Sequence, residues 1–219
     1  MEKRSRRLRS GRARCCGRAV LWERGQIRDL GAITTATDAS SRANAINERG
    51  QVVGWANTDI LTSGGRRASH AFLRDRGTMI DLGTLGGDPA NFSVAFGVNE
   101  RSDVVGEANI GEGTYHAFQW SAGTMTDIHP DLGLRHSRTN EVNERGQIVG
   151  HVSGFYNFAT INGRAIIWHN GTAWDLNDLV PENAGWVLRS AEGINDRGQI
   201  VGFGIFQGET RAFLLTPTE

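Results

Sequence analysis

Few side chains in this sequence carry reactive chemistry, and those that do are dispersed. Glycoside hydrolysis needs two carboxylates on either side of a scissile bond, and Asp88, Asp131 and Glu182 are the candidates for such a pair. Four other acids, Asp29, Asp81, Asp127 and Asp175, recur at regular intervals. One carboxylate per interval falls short of the roughly six to eight oxygens that Ca²⁺ takes. His70 and His116 also recur, with Arg18, Arg164 and Arg211 at related positions. Equivalent positions in successive units define separate sites rather than one metal shell, so hydrogen bonding at strand starts is their expected role. The sequence contains no nucleophile elbow, no phosphate-cradling glycine loop before a helix and no His/Glu metal signature. No catalytic residue, metal or cofactor is therefore expected. Cys15 and Cys16 are adjacent and are the only cysteines, which leaves no relaxed disulfide to form.

Aromatic side chains offer a second chemistry, binding. Phe155, Tyr156 and Phe158 cluster in one stretch, Trp186 follows, and Phe92 and Tyr115 are weaker additions. Such rings can stack on a sugar or form a protein-binding hot spot, or they can pack between layers of the fold. Charge offers a third. Residues 1–18 hold eight of the 24 basic residues and one of the 24 acidic ones, so the body of the chain is acidic. A basic arm can engage nucleic acid with steep salt dependence. This one has neither interleaved aromatics nor an adjoining basic fold, so a solvated tail is expected and nucleic acid is not. It resembles the charged start of a signal peptide, yet no apolar stretch follows. No window reaches the ~18 apolar residues of a membrane span.

The elements that position these residues come from two alternating motifs. The first is Ile46-Asn47-Glu48-Arg49-Gly50-Gln51-Val52-Val53-Gly54, repeated around Asn99, Asn143 and Asn195 at spacings of 52, 44 and 52. In Asn-x-x-Gly the asparagine caps a type I turn and the glycine takes the left-handed position after it, the recipe for a hairpin with a bulge. Asn47, Gly50, Asn99, Asn143, Gly146, Asn195 and Gly198 are thus read as structural turn residues. Ser102 replaces the glycine in the second copy, and a positive φ there costs on the order of 1 kcal/mol. The second motif, best seen from His70 to Leu82 and from His116 to Ile128, follows the same hairpin logic with Gly25, Gly77, Gly123 and Gly171 at its turns.

Two hairpins make a unit of four antiparallel strands, a to d, about 48 residues long, and repeats of that length are characteristic of propeller blades. The expected fold is all-β, with tandem four-stranded antiparallel repeats, β-propeller-like, of about four blades; a sandwich or open stack is the runner-up. The repeats run from Arg18 to Leu215 and resemble the HAF-repeat family of bacterial proteins. That resemblance implies a repeat fold and an exported location, extracellular or in the cell envelope, with no established activity.

The expected layout is a basic arm over 1–17 and a repeat domain over 18–216. The domain opens with a c–d pair at about 18–30, holds three full units at about 43–82, 95–128 and 139–176, and ends with a, b and c at about 191–215. The opening c–d hairpin could complete the closing a–b hairpin, or the last strand could take its place. An incomplete ring would leave an edge strand open to self-association. Uniform a–b and c–d turns at one end, and long, divergent b–c and d–a loops at the other, make the loop face the expected binding surface. Phe155, Tyr156, Phe158 and Trp186 are its expected contacts, with an unknown glycan or protein as ligand. The alternative is a glycan-processing enzyme using the loop carboxylates at the propeller centre, and a second is nucleic-acid binding through the basic arm.

Overall fold

A computed structural model describes residues 17–155 and 163–218. The basic arm, apart from Gly17 and Arg18, and the residues Tyr156 and Phe158 lie outside the described residues. The described chain is all-β apart from two 3-10 turns at Leu176–Leu179 and Glu182–Ala184. No helix among the described residues is long and apolar enough to cross a membrane.

A two-stranded sheet comes first, β1 (Ala19–Glu23) and β2 (Gln26–Gly31). Three four-stranded sheets follow. They comprise β3 (Ser41–Ile46), β4 (Val52–Leu61), β5 (Arg67–Asp75) and β6 (Thr78–Asp81); then β7 (Ser93–Val98), β8 (Val104–Gly111), β9 (Thr114–Ser121) and β10 (Thr124–Asp127). The third comprises β11 (His136–Val142), β12 (Ile148–Ser153), β13 (Arg164–His169) and β14 (Thr172–Asp175). A three-stranded sheet ends the chain, β15 (Trp186–Ile194), β16 (Ile200–Phe206) and β17 (Glu209–Leu215). Within each sheet the strands are antiparallel and lie in sequence order.

The turns explain the glycines. In the first motif Gly50 has φ +74°, its N–H donates to the Asn47 carbonyl, and Asn47 Oδ1 accepts from the Gln51 N–H. The second motif differs from the expected scheme. Arg24–Gly25, Arg76–Gly77, Ala122–Gly123 and Asn170–Gly171 all have positive φ at both residues, which makes them two-residue type I′ turns. Glu112–Gly113 and Gln207–Gly208 share this geometry and close the b–c connections of the second and last units. The expectation of uniformly long b–c loops is therefore corrected: β8–β9 and β16–β17 are tight hairpins.

No sheet can bury both of its faces alone, so the sheets stack in chain order. The first strand of each lies across the preceding sheet: β7 on β3 to β5, β11 on β7 to β9, and β15 on β11 to β13. Each junction has its own core. Val53, Leu73 and Leu82 meet Ala95, Val104 and Phe118; Val105 and Ala117 meet Val142, Ile166 and Trp168; Val149 and Leu176 meet Leu188 and Phe213. A smaller core joins Ala19 and Leu30 to Val52 and Phe72. Polar staples reinforce the stacking. Ser41, Ser93 and Ser137 each accept from the N–H of the repeated alanine of the preceding c strand, at Ala19, Ala71 and Ala117.

β17 pairs with β16 over seven residues, and β1–β2 stands as a separate sheet rather than completing the last one. The outer face of the last sheet shows what stacking contributes. Val53, Val105 and Val149 are fully buried, whereas Val201 at the equivalent position is 47 % exposed.

Candidate functional site

The recurring charged residues of the second motif form structural pairs. Asp29, Asp81, Asp127 and Asp175 reach Arg18, His70, His116 and Arg164 at 3.2, 2.9, 2.7 and 3.5 Å. Each aspartate also accepts from the backbone N–H two residues on, at Gly31, Gly83, His129 and Asn177. These acids tie strand c to the end of strand d. Among the described residues no group of three or more His, Cys, Asp or Glu is placed to hold a metal ion.

The aromatic and acidic candidates are dispersed. Phe155 is exposed beside the segment containing Tyr156 and Phe158, which lie outside the described residues. Trp186 was expected in a loop; it begins β15, stacks on Phe206 with ring centroids 4.9 Å apart and meets Phe213 edge-on. It packs into its own sheet because β15 starts earlier than the repeat pattern indicates. Asp88 accepts from the Ala90 N–H, Glu182 begins a 3-10 turn, and Asp131 lines a cleft with His129 and Trp168. Neither Asp88, Asp131 nor Glu182 lines the groove where the repeats converge.

That groove, of about 530 Å³, is built by a feature the sequence pattern does not announce. Strand a of each of the four larger sheets carries a β-bulge at an equivalent place, and β15 has a further skip between Leu188 and Ser190. The register skips between Ala43 and Ala45, Ala95 and Gly97, Thr139 and Glu141, and Ala191 and Gly193. The extra residues are Asn44, Phe96, Asn140 and Glu192, and all four line the groove. A bulge frees one residue from the ladder and re-aims its side chain. The facing strand must yield space: a Cβ on Gly54, Gly106, Gly150 or Gly202 would lie about 2 Å from a strand-a carbonyl (1.8, 2.0, 2.0 and 2.1 Å). The last glycine of the first motif is therefore the mark of the bulge.

Beside each bulge stands one cross-strand pair. The four pairs are Arg42 with Trp55, Val94 with Glu107, Arg138 with His151, and Ser190 with Phe203. Arg42, Trp55, Val94, Glu107 and Arg138 line the groove, and Phe92 adds an aromatic edge. Arg138 is held over the Phe96 ring, 3.8 Å from its centroid, and its Nε donates to Asn140 Oδ1 at 3.1 Å. Asn44 and Asn140 donate across to the Ala95 and Ala191 carbonyls of the next sheet, both at 2.8 Å. His151 bonds Ser190 Oγ at 3.1 Å; enclosure, and then the Arg138 charge, push its pKa down to about 4. Burial, and then the Glu107 carboxylate, push the Tyr115 hydroxyl up.

Phe92 is the one sequence-level candidate the groove includes. The other lining residues sit within strands, among the repeated residues, and no loop position marks them. Two features mark them: a glycine inside every b strand, and positions that are not kept in all four copies where the turn asparagine is.

A family model described as a protein of unknown function (DUF3466) matches residues 31–85, which include the whole of the first four-stranded sheet. No curated protein and no solved structure matches the chain.

Proposed function

We propose that the protein is a non-catalytic binding module: a repeat scaffold whose sheets act as propeller-like blades around a ligand groove. One observation carries this reading. Four equivalent bulges aim four equivalent positions at one groove, and those positions hold an amide, an aromatic ring, a second amide and a carboxylate, three chemistries in four repeats. A single structural requirement would keep all four copies alike, as it does for the turn asparagines, whereas at the bulge only Asn44 and Asn140 agree. The groove's volume lies within the about 300–1,000 Å³ typical of small-ligand pockets. The resemblance to HAF-repeat proteins supports the scaffold part of the proposal and, with it, an extracellular setting.

The test is nuclear magnetic resonance mapping on the isotope-labelled chain with a mixed library of soluble glycans, short peptides and metabolites. The expected result is a ligand that shifts the amides of residues 42–44, 94–96 and 138–140 and is recovered unchanged. Shifts confined to residues 154–163 would move the site to the loop face, and conversion of the ligand would overturn the non-catalytic reading.

A further inference from the structure

We infer that the groove takes a neutral saccharide, a reading that rests on the groove being the binding site. Charge is the first argument. Arg42 and Arg138 line the groove together with Glu107 and Glu192, so the lining has no net charge. A site for phosphate or an acidic polymer pools guanidinium groups without interspersed carboxylates.

The kind of side chain is the second argument. The groove sets planar hydrogen-bonding groups, guanidinium, carboxylate and amide, among the aromatic side chains Trp55, Phe92 and Phe96, of which Phe96 is already covered by Arg138. A sugar ring offers the complement: C–H faces for an aromatic surface, and hydroxyls that each donate and accept. Trp55 is partly exposed, and none of the described aromatic rings stacks on it. It stands opposite the exposed Arg42 in the ladder, so one stacking surface and one donor fork are adjacent.

Backbone availability is the third. An extended peptide would bind by adding a strand to the free edge of a first strand. Side chains already occupy acceptors along those strands and their partners: Asn44 takes the Ala95 carbonyl, Asn140 the Ala191 carbonyl, and Thr139 Oγ1 the Gly106 carbonyl. The groove is thus poor in ladder sites and rich in side-chain forks, which favours hydroxyl recognition.

Isothermal calorimetry on the full chain tests this with neutral oligosaccharides of glucose, mannose, galactose and N-acetylglucosamine, against oligogalacturonate as the acidic control. At least one neutral series is expected to bind with Kd below about 1 mM, with the acidic control about tenfold weaker. Trp55→Ala should weaken that binding by about tenfold and Arg42→Gln by roughly threefold, with circular dichroism reporting the fold. Should Trp55→Ala fail to fold, the exposed Arg42→Gln carries the comparison. Absence of neutral-saccharide binding overturns the inference, and so does equal or tighter binding of oligogalacturonate. A binder selected from a peptide library and lost in Arg42→Gln, with no sugar bound, overturns the saccharide class but leaves the groove standing. Saccharide binding indifferent to both variants overturns the groove itself.

Discussion

At the rim formed by the a–b turns, the four repeats carry the same asparagine, whereas three and five residues upstream only the first and third repeats agree, with Asn44 and Asn140 and with Arg42 and Arg138. Along the rim, Asn47, Asn99 and Asn143 each donate from Nδ2 to the carbonyl of the next asparagine in the series, the last reaching Asn195. The carboxylates of Glu100, Glu144 and Asp196 accept from the backbone N–H of Glu48, Glu100 and Glu144. Each turn is thus both capped and clamped to its neighbour, and a change in one copy would break two sheets at once. In the groove, Asn44, Phe96, Asn140 and Glu192 occupy equivalent bulges, and only Asn44 and Asn140 share a bond, each to a carbonyl of the next sheet. Identity between repeats follows backbone constraint, and divergence marks positions released from it.

The sharpest way to break this comparison is to attack the constraint that creates the groove. In Gly106→Ala, the new Cβ would fall 2.0 Å from the Val94 carbonyl and 2.8 Å from the Phe118 ring. Relief requires moving a strand and a fully buried aromatic, so a loss of about 3 kcal/mol or more is expected in urea unfolding. The exposed Arg42→Ala, on the groove's own surface, should change stability by less than about 0.5 kcal/mol. Similar losses in the two variants would erase the distinction between scaffold and groove.

His151 sharpens the comparison, because it belongs to a divergent set yet bears on stability. Its folded pKa of about 4 lies below its ordinary value of 6.5. Between those values the unfolded chain binds more protons, so stability is intact above about pH 6.5 and falls as acid is added, levelling below about pH 4. Depressed values at His129 and His136, each set first by burial, act in the same direction. His70 opposes them: burial lowers its pKa, but the bond to Asp81, the Asp81 charge and the Pro89 carbonyl together raise it further, so its contribution is present in acid and lost as pH rises through the folded value. His151→Phe, which installs the residue found at the equivalent Phe203, should remove about 1–2 kcal/mol of the loss between pH 7 and pH 5. Thermal unfolding against pH measures it, and an unchanged acid limb would assign the loss to the other histidines.

What could be read from the sequence divides along the same line. Asn-x-x-Gly and the paired glycine turns are local chemistry, so strand order and sheet composition were legible from Asn47 to Gly198. The bulges are not local: Asn44 is expelled from the ladder by pairings on either side of it, and the only trace is Gly54 on the next strand. The Asp29-to-Arg18 type of pair was half legible, since the residues recur together but their contact crosses a hairpin. The tight β8–β9 and β16–β17 turns went unread because the sequence between those strands carries no repeated motif.

The smallest expected effect lies on the rim itself, at its one irregular turn. Ser102 has φ +69°, where the equivalent Gly50, Gly146 and Gly198 have +74°, +75° and +76°. Left-handed backbone costs a serine about 1 kcal/mol relative to glycine. Its hydroxyl offsets part of that cost, accepting from Gln51 Nε2 at 2.9 Å and lying 3.1 Å from Gln51 Oε1. Ser102→Gly should therefore shift stability by less than about 0.5 kcal/mol, because relief of strain and loss of the hydrogen bond nearly cancel. In a Gln51→Ala background the bond is already gone, and the same substitution should stabilise by about 1 kcal/mol. A double-mutant cycle in urea reads the difference. Equal effects in both backgrounds would mean that the hydroxyl contributes nothing and that the second repeat tolerates its strain uncompensated.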